Sequence, residues 1–285
     1  MMRVLVLIPS YNDTISAYVL SLKFIKEKEV ERVLIIDESD NPLYANFAKR
    51  IKHRKIDIVC RRRSGKYLAW REALEQARNY DGLIEVDADV RIDEPRSLIS
   101  KLKEYDVITA YPRFILASRG LAKIIGKIYQ KTHEELQKIG KFNMGGQVVA
   151  LSKKAVLILL GHEFFREPVL ADDHVVCLGA YVLGLKCTTV DCGLYVKLPS
   201  NIKDWIKYRS RHRKAISWSE QYVAKKTGKP HKVHAVSRSE FNLTLKYFLK
   251  NLIKQGHIFF PLILLLLLVG SLLCIENPFK WSKLK

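Results

Sequence analysis

A short run of residues early in the chain, LIEVDAD at 83–89, decides the fold. Its apolar part is typical of a buried β-strand, and two carboxylates, Asp87 and Asp89, follow one residue apart. Similar short runs lie at 4–8, 33–36 and 56–59, and helical patterns at 14–28, 44–51 and 66–80 separate them. Strands that alternate with helices indicate βαβ units and a mostly parallel sheet, so the sequence predicts a Rossmann-like α/β fold.

Polar side chains follow the predicted strands, where doubly wound sheets bind their ligands. Pro9, Tyr11 and Asn12 follow the first strand, and Asp37 ends the second. The sequence has no GxGxxG after the first strand and no GxxxxGK[ST], which excludes the dinucleotide-binding fingerprint and the P-loop. A different kind of nucleotide site is therefore expected.

The carboxylates after the fourth strand have two interpretations. Asp-x-Asp at a strand end can hold Mg²⁺ or Mn²⁺, because hard cations prefer oxygen ligands and are shared with substrate phosphates. The alternative is that Asp87 and Asp89 simply form a turn, as aspartate often does.

A second acidic pair, Asp172-Asp173, precedes a helical pattern at 175–185. Acids at a helix start can cap the helix and interact with its dipole. Alternatively, one of them is a general base that accepts the proton of an attacking hydroxyl group. The two side chains point in different directions, so only one of them would be the base.

The chain has a net charge of +20, which predicts an anionic partner. Fourteen of its lysines and arginines, against three acids, lie between residues 202 and 254. The segment 226–257 combines this charge with apolar residues at helical spacing, so it is interpreted as a basic amphipathic juxtamembrane segment. No nucleic-acid-binding motif is present, and a membrane is the expected partner rather than nucleic acid.

Residues 258–275 are uncharged and apolar, and they include five consecutive leucines. This length approaches that of a membrane-spanning helix, although a buried core helix is the alternative. The basic residues lie before this segment, which predicts a single-pass protein with its amino-terminal domain on the cytoplasmic face and a short tail at 276–285. The apolar run at 4–8 is too short for a signal peptide, and the five cysteines form no recognisable framework.

The order of these motifs resembles that of the family-two inverting glycosyltransferases of GT-A fold. The resemblance rests on IPSYN at 8–12, IID at 35–37, SGK at 64–66, VDAD at 86–89 and ADD at 171–173. It implies a catalytic domain at 1–225 that is joined to the juxtamembrane segment and the membrane helix. The family's Gln-x-x-Arg-Trp motif is replaced here by SRHRK at 210–214, which argues against processive synthesis.

The resemblance also implies roles for particular residues. The nucleotide of the donor would contact Pro9, Tyr11, Asn12, Asp37, Gly65, Lys66 and Asp87. Asp87 and Asp89 would hold Mn²⁺ or Mg²⁺, Arg213 would neutralise the leaving diphosphate, and Asp173, paired with Asp172, would be the base. The segment 142–147 would form part of the sugar and acceptor pocket; an ordinary turn is the alternative.

The implied reaction moves a sugar, with inversion, from a nucleotide diphosphate-sugar to an acceptor hydroxyl or lipid phosphate. The position beside the membrane favours a lipid-linked or membrane-proximal acceptor. Two other classes remain open: a sugar-nucleotide pyrophosphorylase or hydrolase, and a non-catalytic membrane adaptor with a degenerate nucleotide fold.

Overall fold

The computed structural model describes residues 2–117, 119–138, 142 and 146–229. The strands are β1 (Val4–Ser10), β2 (Val30–Asp37), β3 (Ile56–Cys60), β4 (Gly82–Val86), β5 (Arg91–Ile92), β6 (Val107–Ile115), β7 (Val148–Ser152) and β8 (Cys187–Lys197). The helices are α1 (Thr14–Phe24), α2 (Pro42–Arg50), α3 (Lys66–Ala77), α4 (Pro95–Lys101), α5 (Gly120–Lys138), α6 (Lys153–Gly161), α7 (Asp172–Val182) and α8 (Ile202–Thr227). The predicted alternation of strand and helix up to residue 86 is confirmed.

One sheet carries all of these strands, in the order β3-β2-β1-β4-β7-β6-β8-β5. The chain builds outward from β1 through β2 to β3 and then returns to place β4 on the other side of β1. The strands β1, β2, β3 and β4 are mutually parallel neighbours, so their carboxyl ends share one edge. A reversal of strand order of this kind opens a crevice, and it is here that such sheets bind ligands.

Both faces of the sheet are covered, which explains the nearly continuous apolar strands. Along β1, Leu5 and Leu7 face a core formed with α3, α6 and α7, whereas Val4, Val6 and Ile8 face a core formed with α1 and α4. A smaller cluster joins Tyr129 of α5 to Trp205 of α8 and to Leu198.

The sheet is more mixed than the strand pattern alone indicates. β7 runs antiparallel to both of its neighbours, β4 and β6, and β5 runs antiparallel to β8. Because β7 is antiparallel, its start lies beside the end of β4, where the Asp87 N–H donates to the Gln147 carbonyl at 2.9 Å. This pairing brings the segment before β7 to the same edge as Asp87.

The last described helix, α8, is capped by Asn201 before its first residue and by Gly228, whose φ is 67°, after its last. Within the described ranges, no helix combines the length and the apolar character that crossing a membrane requires. The predicted membrane helix at 258–275, the tail at 276–285 and most of the predicted juxtamembrane segment lie outside those ranges.

Candidate active site

Residues that follow β1, β2 and β4 meet at the crevice. Asp37, at the end of β2, is buried and accepts hydrogen bonds from the Thr14 and Ser39 hydroxyls at 2.8 and 2.6 Å. Tyr11, just after β1, is exposed and donates to Asp40 at 2.8 Å. Pro9 lies within β1 and Asn12 is exposed beyond it, with a φ of 59°.

Lys66, the first residue of α3, lies among three carboxylates. Its Nζ atom is 2.9 Å from Glu85 Oε1, 2.8 Å from Asp87 Oδ1 and 2.9 Å from Asp172 Oδ2. Burial alone would lower the pKa of Lys66, but the charges of Asp172, Asp87 and Glu85 outweigh it and raise this pKa. One permanently charged ammonium group therefore connects the end of β4 to the start of α7.

The two acids at the start of α7 have different environments. Asp172 is paired with Lys66 and also accepts a hydrogen bond of 2.6 Å from the Trp70 indole. Asp173 accepts from the Gly146 N–H at 2.7 Å. Burial, followed by the charge of Asp172, raises the pKa of Asp173 to about 6. An acid with a pKa near neutrality is suited to exchanging protons, whereas a carboxylate paired with a lysine is suited to holding position.

Asp87 and Asp89 extend the negative charge toward solvent. Burial raises the pKa of Asp87, and the charges of Asp172 and Asp89 add to this rise against the lowering effect of Lys66. Asp89 is exposed, and its charge, after burial, contributes to a raised pKa of Asp13. In the part of the chain that the structure describes, no group of three or more histidine, cysteine or acidic side chains is arranged to hold a metal ion.

The carboxylates nevertheless match the chemistry of a cation that is shared with a ligand. Mg²⁺ and similar hard ions are commonly bound by one or two carboxylates, with substrate phosphates completing the shell. Asp87 and Asp89 supply two such groups, and Asp13 lies close enough to add to their mutual repulsion. A cation would relieve that repulsion.

The sequence motifs did not single out Glu38, Trp70 or Glu85 as site residues, whereas Gly146 lies within the predicted pocket segment 142–147. Glu85 was visible as a charge within an apolar strand, and Glu38 stands next to Asp37. Trp70 lies one helical turn after Lys66, a spacing that places both side chains on the same side of α3. Serine often caps helices, but Gly65 rather than Ser64 is the N-cap residue of α3, and the Ser64 hydroxyl donates to Glu38.

Of the remaining predicted site residues, only some are described. Position 213 lies on α8, but the Arg213 side chain is outside the described set. Of the segment 142–147, the structure describes Phe142, Gly146 and Gln147. Gly65, with a φ of 97°, donates its N–H to Glu38 at 2.9 Å.

The Trp70–Asp172 hydrogen bond leads to a prediction about stability. We expect Trp70→Phe to lower the free energy of unfolding by about 1.5–3 kcal/mol, because it removes a hydrogen bond to a charged group. Phenylalanine preserves the stacking on Phe165, whose ring centroid is 5.6 Å away. Urea denaturation measures the change, with Trp218→Phe, at a tryptophan stacked on Tyr222, as the matched control. Equal losses in both variants would contradict a specific role of the hydrogen bond.

An open groove near the opposite end of β1 is a poorer candidate. Arg3, Arg32, Asp57 and Tyr80 contribute to its lining. Its two arginines are ion-paired, Arg3 with Glu31 and Arg32 with Asp57. The groove also lies at the amino ends of the parallel strands, whereas sheets of this kind bind ligands at the carboxyl ends, so the crevice is the better candidate.

Comparison with known proteins gives matches among solved structures. No family model and no curated protein matches the sequence. A mannosyltransferase from Pyrobaculum calidifontis, in complex with GDP-Man and Mn²⁺, matches at 15% identity over 99% of this chain and 83% of that chain, with a TM-score of 0.56.

Two further solved structures, both of synthases, are similar to this chain at comparable sequence identity. Glucosyl-3-phosphoglycerate synthase from Mycobacterium tuberculosis, in complex with Mn²⁺, UDP and glucosyl-3-phosphoglycerate, matches at 15% identity over 81% of this chain and 82% of that chain (TM-score 0.51). Mannosyl-3-phosphoglycerate synthase from Rubrobacter xylanophilus matches at 13% identity over 82% and 77% (TM-score 0.51). The fold is that of GT-A-type glycosyltransferases. At such low identity the comparison shows the GT-A fold alone, which confirms the predicted fold of the catalytic domain.

Proposed function

We propose that this chain is a metal-dependent glycosyltransferase that takes a sugar from a nucleotide diphosphate-sugar. The observation that carries the proposal is the Lys66 ion-pair network, which joins Asp87, the first acid of the Asp-x-Asp motif, to Asp172, the neighbour of Asp173. Acids from two of the sequence motifs, Asp87 and Asp172, are thus joined through one lysine on a GT-A fold. The Mn²⁺ and nucleotides bound by the structural neighbours support the same proposal.

In this proposal, the nucleotide lies along the ends of β1 and β2, near Tyr11 and Asp37, and the diphosphate lies near Asp87 and Asp89. A divalent cation held by these two aspartates would act as a Lewis acid on the diphosphate leaving group. Arg213 is assigned to the same diphosphate. These residues orient the donor so that the anomeric carbon faces Asp173.

Asp173 acts as the general base. Its carboxylate accepts the proton of the acceptor hydroxyl while the hydroxyl oxygen forms a bond to the anomeric carbon. The bond from that carbon to the diphosphate oxygen breaks at the same time, so the configuration inverts and no covalent intermediate with the protein forms. Gly146 fixes the orientation of Asp173, and Asp172 fixes Lys66 and Trp70. Such alignment is the main contribution that a protein makes to a displacement of this type.

The proposal is tested by turnover. Detergent-solubilised full-length protein is incubated with Mn²⁺ and a panel of UDP- and GDP-sugars, with and without candidate lipid phosphate and polyol acceptors, and released nucleoside diphosphate is measured. We expect EDTA to abolish release and excess Mn²⁺ to restore it. Asp89→Asn should raise the Mn²⁺ concentration for half-maximal rate by about tenfold or more, because it removes one charged ligand.

The matched control for Asp89→Asn is Asp93→Asn, at a nearby exposed acid that is ion-paired with Arg91 and Lys23. Unchanged Mn²⁺ dependence in Asp89→Asn would contradict the metal assignment. Release of nucleoside diphosphate that is equally fast in EDTA would contradict the metal-dependent mechanism as a whole. No release from any donor would favour a non-catalytic adaptor.

We also propose that residues 258–275 anchor the enzyme in a membrane and that the catalytic domain faces the cytoplasm beside a lipid-linked acceptor. The support is the uncharged apolar segment and the basic residues that precede it. We expect the full chain to remain in the membrane pellet after alkaline carbonate extraction. A chain ending at Lys229 should appear in the supernatant. Extraction of the full chain by carbonate would contradict the anchor.

A further inference from the structure

Glu38, the residue after β2, lies at the centre of a second group of hydrogen bonds. It is buried, and the hydrogen-bond donors to its carboxylate among the described residues lie on the loop between β3 and α3, residues 61–65. They are Arg61 Nε at 3.0 Å, the Ser64 N–H at 3.0 Å, the Ser64 hydroxyl at 2.5 Å and the Gly65 N–H at 2.9 Å. A single carboxylate therefore fastens this loop to the end of β2.

The Glu38 carboxylate is held in its charged form. Burial alone would raise the pKa of Glu38, but the hydrogen bonds from Ser64, Gly65 and Arg61 outweigh it and lower this pKa. Hydrogen bonds to an ionised acceptor are shorter and stronger than those between neutral groups. The loop is thus fixed by charge-assisted bonds.

The loop 61–65 forms one wall of the crevice. Its first residue pairs with β2, where the Arg61 N–H donates to the Asp37 carbonyl at 3.0 Å. The Arg63 guanidinium lies 4.2 Å from the centre of the Tyr11 ring. The residue that follows the loop is Lys66, which contacts Asp87. The loop therefore touches or adjoins three of the groups assigned to the donor.

The conformation of this wall depends on its attachment. Gly65 has a φ of 97°, which L-residues with side chains rarely adopt, and α3 begins there with no side-chain cap. The N–H of Gly65, the N-cap residue, donates to Glu38, so the start of α3 and the position of Lys66 are set by the residue after β2.

From this geometry we infer that Glu38 is a positioning residue of the donor site: it holds the loop 61–65, and through it Lys66, in the arrangement that binds the nucleotide diphosphate. The inference rests on the proposed function and extends it to a residue that does not itself touch the donor. Glu38→Gln would replace one carboxylate oxygen with an NH₂ group, which cannot accept the hydrogen bonds that the loop donates.

Arg61 provides a matched control, because it pairs with two acids. One is Glu38 and the other is Glu72 on α3, 2.8 Å from Arg61 Nη1. Glu72→Gln removes an ion pair from the same arginine but leaves the hydrogen bonds to Ser64 and Gly65 intact. Ser64→Ala removes only the hydroxyl donor and keeps the two backbone N–H donors, so it weakens the same attachment less than Glu38→Gln does.

The experiment measures the dissociation constants of UDP and GDP by titration calorimetry in the presence of Mn²⁺, together with thermal unfolding of each full-length variant. We expect Glu38→Gln to weaken binding of the preferred nucleotide by about tenfold or more. Ser64→Ala should weaken it by a smaller factor, and Glu72→Gln by less than about twofold. Hydrogen exchange at residues 61–66 should become faster in Glu38→Gln and stay unchanged in Glu72→Gln.

Nucleotide binding by Glu38→Gln that equals the wild type would overturn the inference and leave the proposed function intact. If Glu38→Gln fails to fold, Ser64→Ala decides, and wild-type affinity in that variant overturns the inference. If the wild-type protein binds neither nucleotide, the proposed function fails and this inference falls with it. Equal weakening in Glu38→Gln and Glu72→Gln would show that Arg61, rather than the loop attachment, is responsible.

Discussion

We expect Asp173→Asn to lower kcat by about 10²–10⁴-fold, the range that a positioned general base contributes. Asparagine is nearly the same size and can still accept the hydrogen bond from Gly146, so the local geometry is retained. What it loses is the capacity to take a proton from the acceptor. Steady-state kinetics at saturating donor and acceptor measures the effect.

The stability of the same variant separates catalysis from folding. Burial and the charge of Asp172 raise the pKa of Asp173 above that of an unfolded aspartate. Such a group binds its proton more tightly in the folded state, so its ionisation above pH 6 disfavours folding. Replacing it with neutral asparagine should leave the thermal midpoint at pH 7.5 unchanged or higher. Inactivity that is accompanied by a large loss of stability would contradict a purely catalytic role.

Asp172→Asn is the matched comparison. It weakens the ion pair with Lys66 but retains an acceptor for the Trp70 indole. We therefore expect a smaller loss of kcat than in Asp173→Asn. A larger loss of kcat in Asp172→Asn than in Asp173→Asn would indicate that Asp172, rather than Asp173, is the base.

The pH dependence follows from the same pKa. A base must be ionised to accept a proton, and the pKa of Asp173 is about 6. The rate of the wild-type enzyme should fall as pH decreases below about 6, with a slope of one in a logarithmic plot. Asp173→Asn should lack this limb.

Lys66→Met is expected to have the largest effect on stability. Glu85 is fully buried, and neither of its oxygens accepts a well-aligned hydrogen bond from the described residues, so the Lys66 ammonium is its charge partner. Breaking a buried ion pair by removing one member typically costs about 3–5 kcal/mol, because the other charge remains uncompensated. Guanidinium denaturation at pH 7.5 measures the loss.

The pH profile of this loss identifies its cause. Burial is the main reason that the pKa of Glu85 lies well above its ordinary value, and the charge of Lys66 works against that rise. Without Lys66 the pKa of Glu85 would rise further. A raised pKa in the folded state means that stability declines as pH rises, so Lys66→Met should be closer to the wild type at pH 5 than at pH 8. The double variant Lys66→Met/Glu85→Gln should regain much of the loss. A deficit that is independent of pH, or that the second substitution does not reduce, would contradict this account.

Local sequence patterns predicted the strands and helices of the first part of the fold, up to β4. The apolar runs that became β1, β2 and β4 and the helices between them could be identified because both faces of the sheet are covered. The antiparallel position of β7 between β4 and β6 could not, because strand pairing joins residues far apart in sequence and the alternation of side chains is the same in either direction. The order of the strands beyond β4 was therefore not foreseen.

The site shows the same division. Asp87, Lys66 and the pair Asp172-Asp173 were singled out by sequence, and the structure brings them together. In the sequence only the family resemblance distinguished Asp173 from Asp172, and their different partners, Gly146 and Trp70, are brought to them only by folding. The attachment of the loop 61–65 to Glu38 was missed because a serine just before a helix is typical of an N-cap. The acceptor that the Ser64 hydroxyl uses instead, Glu38, lies 26 residues away in the sequence.

We expect Asp87, Asp89 and Asp173 to surround one donor site. A crystal structure of the protein with Mn²⁺ and the preferred nucleoside diphosphate tests it most directly, with anomalous scattering to locate the metal. We predict that Mn²⁺ binds to carboxylate oxygens of Asp87 or Asp89 and to the diphosphate, with the nucleotide beside Asp37 and with Asp173 facing the position of the sugar. A diphosphate bound elsewhere, for example in the groove beside Arg3 and Arg32, or a metal without contact to either Asp87 or Asp89, would contradict it.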